Sequence, residues 1–233
     1  MTKLINIAIP KSGSGMLAQA VGGEHANIGP GAYNKPPRKI PLNKIKTFTE
    51  PFARSHMPYC VEYEEAMKKV DCLGVFLHRD LRDTIVSHAM YADKWKGHRS
   101  YFNFPTSEGV LLAKSGDRIL EIIKKAHWLY DRYLGWMDVD FVLPLKYEEL
   151  VNHDGSKNPD GFQKFIDYVG NYKGTLECGT PEQMIKRIDP EGCNTYRKGV
   201  PGDWKNHFKD YHIELFWENC GELMERFGYE RLR

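Results

Sequence analysis

The chain has no paired cysteines. Its five, Cys60, Cys72, Cys178, Cys193 and Cys220, are odd in number, scattered and never spaced as CxxC. That argues against a disulfide frame or zinc ribbon and for the reduced thiols of a cytoplasmic protein. Long apolar runs are also missing. Nothing approaches the roughly 20 residues of a membrane-spanning helix, and the first residues read as a strand, not as a charged-then-apolar leader. Charge of one sign is scarce: +2 over 233 residues sets up no global field for nucleic acid or an anionic membrane, so an anion site must be made from a few local cations. No residues show metal-ligand spacing, nothing repeats, and nothing is low-complexity. The usual nucleotide-phosphate loop, GxxxxGK[ST], is absent.

What is present is an ordinary globular composition, 41% apolar and 12% aromatic, long enough for one α/β domain over residues 1–233. Its organising stretch is Leu4 to Leu17, LINIAIPKSGSGML. Leu4, Ile5, Ile7, Ala8 and Ile9 have the length and β-branching of a buried strand. The run breaks at Pro10 into Lys11-Ser12-Gly13-Ser14-Gly15, and a helical apolar pattern resumes at Met16, Leu17 and Val21. Strand, glycine turn and helix aim backbone N–H groups and a helix N-terminus at an anion. Gly13 and Gly15 permit close approach, Ser12 and Ser14 offer hydroxyls, and Lys11 a point charge. The reading is a phosphate cradle, although any strand-to-helix turn favours Ser and Gly.

Residues 22–44, dense in Gly, Pro, Asn and Lys, are too irregular for a plain connector and read as a lid or a disordered loop. KIKTF and PFARSH follow as short extended pieces, and Pro58 opens a helix with body YCVEYEEAMKKV. LGVFLHR, residues 73–79, is a second buried strand, ending in Asp80 as the N-cap of a helix. This junction presents Arg79 at the strand end and Ser87 about 10 Å into the helix, a pair able to share one phosphate; the plainer alternative is Arg79 paired with Asp80 or Asp83. Residues 96–107 form a polar-aromatic loop. A long helix is expected from about 108 to 137, broken near Gly116 and Asp117. VDFVLPL is a third buried strand leading into KYEELV. Helices near 159–169, 180–188 and 211–227 complete the chain, with the irregular GCNTYRKGVPGDWKNHF before the last. The alternation predicts a mostly parallel central sheet flanked by helices. Ligands of such sheets sit at the carboxyl ends of the strands, where Lys11, Arg79 and Tyr147 all fall.

With these residues in view, the chain resembles the PAPS-dependent sulfotransferases of the cytosolic type, over residues 4 to 208. PKSGSGML resembles the 5′-phosphosulfate loop, PKSGTTWL, which implies donor contacts from Lys11, Ser12, Gly13, Ser14, Gly15 and Met16. HRDLRDTIVS resembles the 3′-phosphate segment, with Arg79 and Ser87 eight positions apart. LKYEEL resembles the YEDL segment whose tyrosine, Tyr147, contacts the nucleotide. YRKGVPGDWKNHF resembles the C-terminal segment that would carry Arg197, Lys198 and Gly199 to the 3′-phosphate. ARSHMP resembles K-[ST]-H-L-P, which puts His56 in the role of catalytic base and Arg54 where a lysine is usual. Thr180 falls near the adenine-contacting threonine. Gly15 and Met16 depart from the usual Thr-Trp. The dimerisation motif keeps its ends, Lys205 and Glu214, but not its centre, so no dimer is carried over; monomer and dimer both stay open.

The resemblance implies 3′-phosphoadenosine 5′-phosphosulfate (PAPS) as donor, 3′,5′-bisphosphate (PAP) as product, and no metal. Lys11, Arg79, Arg197 and Lys198 set four positive charges against about four negative ones. In-line displacement would use His56 as base and Lys11 for charge on the oxygens, with Ser87 holding Lys11 back until acceptor binds. Glu24 and His25 are the fallback bases. The acceptor is expected to be a small alcohol, phenol or amine, with residues 22–44 and 96–107 as acceptor-side loops. Aromatic candidates flank the site at Tyr33, Phe48, Phe52 and Tyr59, and at Tyr91, Trp95, Tyr101, Phe102 and Phe104; Glu50, Glu62 and Asp93 would suit a cationic acceptor. Two other functions share the fold: a nucleotide kinase, and a catalytically silent nucleotide-binding protein.

Overall fold

A computed structural model describes residues 3–23, 25–28, 42–94, 116–172, 176–192 and 196–230, the side chains of 92–94 excepted. Residues 96–107, most of 22–44, and Glu24, Tyr33, Asp93 (its side chain) and Trp95 therefore lie outside the described residues, as do Tyr101, Phe102, Phe104 and Cys193. Among the described residues, Cys60, Cys72, Cys178 and Cys220 are free thiols, and no helix is long and apolar enough to cross a membrane.

Among the described residues, five parallel strands form one sheet in the order β2-β3-β1-β4-β5. They are β1 (Lys3–Ala8), β2 (His25–Asn27), β3 (Phe52–Ser55), β4 (Cys72–His78) and β5 (Val142–Lys146). All seven residues of β4 are buried, as its near-continuous apolar run requires of a strand covered on both faces. Side-chain alternation divides the core. Leu4, Ala8, Leu73, Val75 and Leu77 face one cluster, with α1 (Ser14–Val21) and, later in the chain, Phe162, Phe165 and Met184. Ile5, Ile7, Ala53 and Phe76 face the other, against Ile85, Val86, Ile122 and Phe216. Each such buried Val, Leu, Ile, Phe or Met side chain contributes about 1.5–3 kcal/mol. The chain fills β2 and β3 on one side of β1 and then crosses to β4 and β5, so the direction of winding reverses at β1, where α/β sheets open a crevice at their carboxyl ends.

The other helices are α2 (Leu42–Thr47), α3 (Val61–Lys69), α4 (Leu81–Lys94), α5 (Arg118–Tyr130), α6 (Tyr147–Leu150), α7 (Pro159–Gly170), α8 (Pro181–Lys186) and α9 (Asp210–Arg226). Three expectations need correction. KIKTF is not extended: its first four residues lie in α2, where Leu42 and Ile45, three apart, share the face that meets the core. Pro58 does not open a helix. The chain stays extended to Cys60, because the Tyr59 amide is committed to the Arg132 carbonyl at 2.8 Å. The long helix stops at Tyr130 and tightens into a 3₁₀ helix, Asp131–Asp138. Residues 108–115 of that expected helix lie outside the described residues; α5 itself begins at Arg118, with Asp117 capping it by accepting from the Leu120 amide.

The C-terminal segment is docked by a buried carboxylate. Asp83 in α4 accepts from the amides of Gly202 at 2.7 Å and Trp204 at 2.9 Å, and pairs with Arg79 at 3.3 Å. Asp83→Ala would leave that guanidinium buried without its partner and two amides without an acceptor. The expected loss is about 3–5 kcal/mol in urea unfolding; a loss below about 1 kcal/mol would show that the segment docks by other means.

Candidate active site

The cradle is held by a turn that spends its own polar groups inward. Ser12 is fully buried; its amide donates to the Ile9 carbonyl at 3.1 Å, and its hydroxyl lies 2.5 Å from that carbonyl and 2.9 Å from the carbonyl of Leu77. The Ser12 hydroxyl thus fastens β1 to β4 instead of pointing outward. Lys11 and Gly13 both take the left-handed conformation, φ 73° and 97°. That is free for glycine, but costs a lysine about 1–2 kcal/mol. Gly13 precedes α1 with no side-chain cap, and the first closing bond is Leu17 to Gly13. The amides of Ser14, Gly15 and Met16 therefore have no carbonyl within the helix to bond, the arrangement that suits an anion.

Tyr147, buried at the start of α6, joins this turn to two distant segments. A Cβ on Gly13 would stand 2.7 Å from its ring. The Arg79 guanidinium lies 4.5 Å from the ring centroid, and the hydroxyl donates to the Gly199 carbonyl at 2.8 Å. Burial pushes the Tyr147 hydroxyl up to about 12, so it remains a donor. Arg79 is 6% exposed. It donates to the Val200 carbonyl at 2.8 Å, while its Nε is buried with no hydrogen-bond partner. Asp80 meanwhile caps α4 through the Arg82 amide and pairs with the Arg82 side chain at 2.6 Å.

Arg197 and Lys198 arrive in the same segment, but both rest on Asp203, at 2.6 and 2.9 Å. Burial alone would raise the Asp203 carboxyl; hydrogen bonds from Lys198, Asn206 and Arg197 outweigh it and hold the group well below the carboxylate range. Arg197 Nε, like that of Arg79, is buried and unpartnered. Asp203 was not foreseen as the holder of these cations, although its place five and six residues beyond them was visible in RKGVPGD. Ser87 is buried on α4. Thr180 caps α8 by accepting from the Gln183 amide at 3.4 Å, and α8 is tied to the C-terminal end of α1 through Arg187 and the Ala20 carbonyl.

His56 follows β3, whose register with β1 (Ile7 opposite Ser55) sets it beside Ala8. Its Nδ1 lies 2.8 Å from the Ala8 carbonyl. A carbonyl can only accept, so Nδ1 carries the proton and Nε2 is the acceptor. Burial lowers the His56 pKa, the Ala8 hydrogen bond opposes it, and the Arg54 and Lys11 charges lower it further. The ring is thus a neutral base. Its backbone is clamped by Tyr133, whose hydroxyl donates to the His56 carbonyl, and by Trp136 on the Met57 carbonyl. Lys11 Nζ sits 3.8 Å from the centroid of Tyr91 on α4. Next to Ser87, His88 bonds the Tyr130 hydroxyl at 3.0 Å, and burial, Lys11 and His56 drop it to about 3. A separate cleft of about 440 Å³ runs along β2, lined by His25 to Ile28, Lys44 and Thr47 to Glu50, and includes none of these residues.

Among known proteins, the chain is 26% identical over 216 residues to a flavonol 4′-sulfotransferase of Flaveria chlorifolia, covering 82% of this chain and 64% of the relative. A flavonol 3-sulfotransferase of Flaveria bidentis is 24% identical over 201 residues, 76% of this chain and 62% of the relative. The chain thus spans less than two thirds of the length of these curated relatives. No protein-family model matches it. Among solved structures, mouse sulfotransferase SULT7A1 complexed with PAP superposes with a TM-score of 0.62 over 97% of this chain and 88% of its own, at 19% identity. The fold is that of the sulfotransferases. Retinol dehydratase with androsterone and PAP shares it, at a TM-score of 0.60 and 14% identity over 99% of this chain and 82% of that one.

Within the site, Gly13 lies directly against the Tyr147 ring. Gly13→Ala adds a left-handed alanine and a Cβ too close to the ring. It should cost about 1–3 kcal/mol in chemical unfolding; unchanged stability would mean that the turn and the ring are not in contact.

Proposed function

We propose that this chain is a sulfotransferase that moves the sulfonate of PAPS to a hydroxyl or amine of a small-molecule acceptor. The observation that carries this reading is the convergence at neighbouring strand ends: Lys11 after β1, a neutral His56 after β3, and Arg79 after β4. The donor fits two features of the site. Arg79 Nε and Arg197 Nε are buried donors lacking partners, as a 3′-phosphate would supply, and Gly13 keeps the cradle open to close approach. The amides of Ser14 to Met16 and Lys11 would hold the 5′-phosphosulfate; Arg79, Ser87 and the segment Arg197 to Gly199 would hold the 3′-phosphate, with Arg197 and Lys198 shared with Asp203.

The donor supplies an activated sulfonate: its bond from sulfur to the bridging oxygen breaks as the acceptor oxygen or nitrogen bonds sulfur, and PAP leaves. His56 Nε2 takes the acceptor's proton, while Nδ1–H stays on Ala8 and keeps the ring oriented. Lys11 and the first-turn amides offset negative charge developing on the oxygens without reorganising. Positioning by the rigid strand ends supplies the rest.

The test is transfer of labelled sulfonate from PAPS to a panel of phenols, alcohols and amines, beside thermal shifts with PAP and with ATP plus magnesium. Stabilisation by PAP together with transfer supports the reading. Stabilisation by ATP alone would favour a kinase, and PAP binding without transfer a silent binding protein. His56→Ala should abolish turnover and leave PAP affinity within a few-fold. Arg79→Gln should weaken PAP binding by about 1.5–3 kcal/mol in calorimetry, the value of a charged hydrogen bond. Because burial lowers the His56 pKa and only the neutral ring is a base, kcat/KM should fall with decreasing pH through a midpoint below 6.5; a midpoint above 6.5 would exclude His56 in this environment.

A further inference from the structure

We propose that Glu148 is a positioning residue for Arg79: held by Tyr229, its carboxylate fixes the peptide that follows the arginine and so sets where the guanidinium meets a 3′-phosphate. The inference rests on the sulfotransferase reading and goes beyond it. Glu148 Oε1 accepts from the Asp80 amide at 3.0 Å, and Oε2 from the Tyr229 hydroxyl at 2.9 Å. Asp80 follows Arg79 and is the N-cap of α4, and an N-cap amide has no carbonyl within its own helix to bond. The residue three places on commonly reaches back to it. Here that residue is Asp83, whose carboxylate is committed to the amides of Gly202 and Trp204 and to Arg79. Glu148 reaches in from α6 instead, and its negative charge suits the N-terminus of α4.

Two consecutive residues thus hold one arginine. The Tyr147 ring lies 4.5 Å from the guanidinium, and Glu148 holds the peptide behind it. Both stand on one corner, closed by the bond from the Lys146 amide to the Glu149 carboxylate at 2.8 Å. The other end of the arrangement is equally fixed. Tyr229 follows α9, and its amide bonds the Met224 carbonyl at 2.9 Å. Its ring meets the buried ring of His78 edge-on, centroids 5.8 Å apart, and the Lys146 ammonium lies 4.9 Å from its centroid. His78 and Asp80, the residues on either side of Arg79, are therefore both fastened to the pair of Tyr229 and Glu148. Burial raises the Glu148 carboxyl, and the bonds from the Asp80 amide and the Tyr229 hydroxyl oppose it, as they would for a charged acceptor.

The decisive experiment measures, by calorimetry on the full chain, the binding of PAP and of adenosine 5′-monophosphate, which lacks the 3′-phosphate. Glu148→Ala should weaken PAP by about tenfold, the scale of one hydrogen bond to a charged group, and leave the monophosphate within about twofold. Glu148→Gln keeps a carbonyl for the Asp80 amide and should recover PAP binding to within about threefold of wild type. In an Arg79→Gln background the loss from Glu148→Ala should shrink to about twofold or less, because the contact it tunes is gone. Tyr229→Phe removes a single oxygen and should weaken PAP selectively by about threefold; it decides the matter if Glu148→Ala does not fold. Unchanged PAP binding, equal losses for the two nucleotides, or a loss that persists without Arg79 would reduce Glu148 to holding the fold and overturn the proposal. A wild-type chain that binds PAP no better than the monophosphate would instead remove the 3′-phosphate site and the sulfotransferase reading with it, so the wild-type ratio tells the two failures apart.

Discussion

One aromatic ring joins the parts of the site. Tyr147 lies against Gly13, under Arg79, and holds the Gly199 carbonyl. These three neighbours come from the first turn, the end of β4 and the C-terminal segment, which no local interaction would gather. The ring can reach all of them because Gly13 lacks a Cβ and because β5 delivers Tyr147 beside β4 in register, His78 opposite Lys146. Interiors are packed too closely to absorb a shift at one such point, so the positions of the cradle, the arginine and the tail are set together.

Around that joint, charge is handled by two devices. Asp83 and Asp203 keep Arg79, Arg197 and Lys198 in place within a nearly neutral molecule, at the cost of sharing their charge. Both arginines nevertheless retain a buried, unpartnered Nε. A buried polar atom without a partner is costly, and sites that bind anions are where such a cost is recovered. On the opposite flank, His56 is kept neutral by burial and fixed in one tautomer by Ala8. Cationic side chains and a neutral imidazole thus occupy neighbouring strand ends.

Much of this was legible in the sequence. The runs of β1 and β4 are apolar and almost wholly buried, and the expected third buried strand proves to be the edge strand β5, where only Val142 and Leu145 are buried. The ends of all three, and with them Lys11, Arg79 and Tyr147, could still be placed from the sequence. The three-residue β2 carries no comparable signal: His25 and Asn27 are exposed, and only pairing with β3 makes it a strand. Leu42 to Thr47 is too short for its helical period to outweigh an extended reading. Orientation was beyond reach altogether. The inward turn of the Ser12 hydroxyl depends on Leu77, 65 positions away, and the capture of Arg197 and Lys198 by Asp203 depends on the fold of a glycine-rich segment. Nor could the sequence show that the Tyr91 ring would lie against Lys11.

The most direct test is a crystal structure of the chain grown with PAP. The account predicts the 5′-phosphate on the amides of Ser14 to Met16 and the 3′-phosphate within hydrogen-bond distance of Arg79, with His56 on the open side of the 5′-phosphate. PAP bound away from Gly13 and Tyr147, or no PAP at saturating concentration, would contradict it.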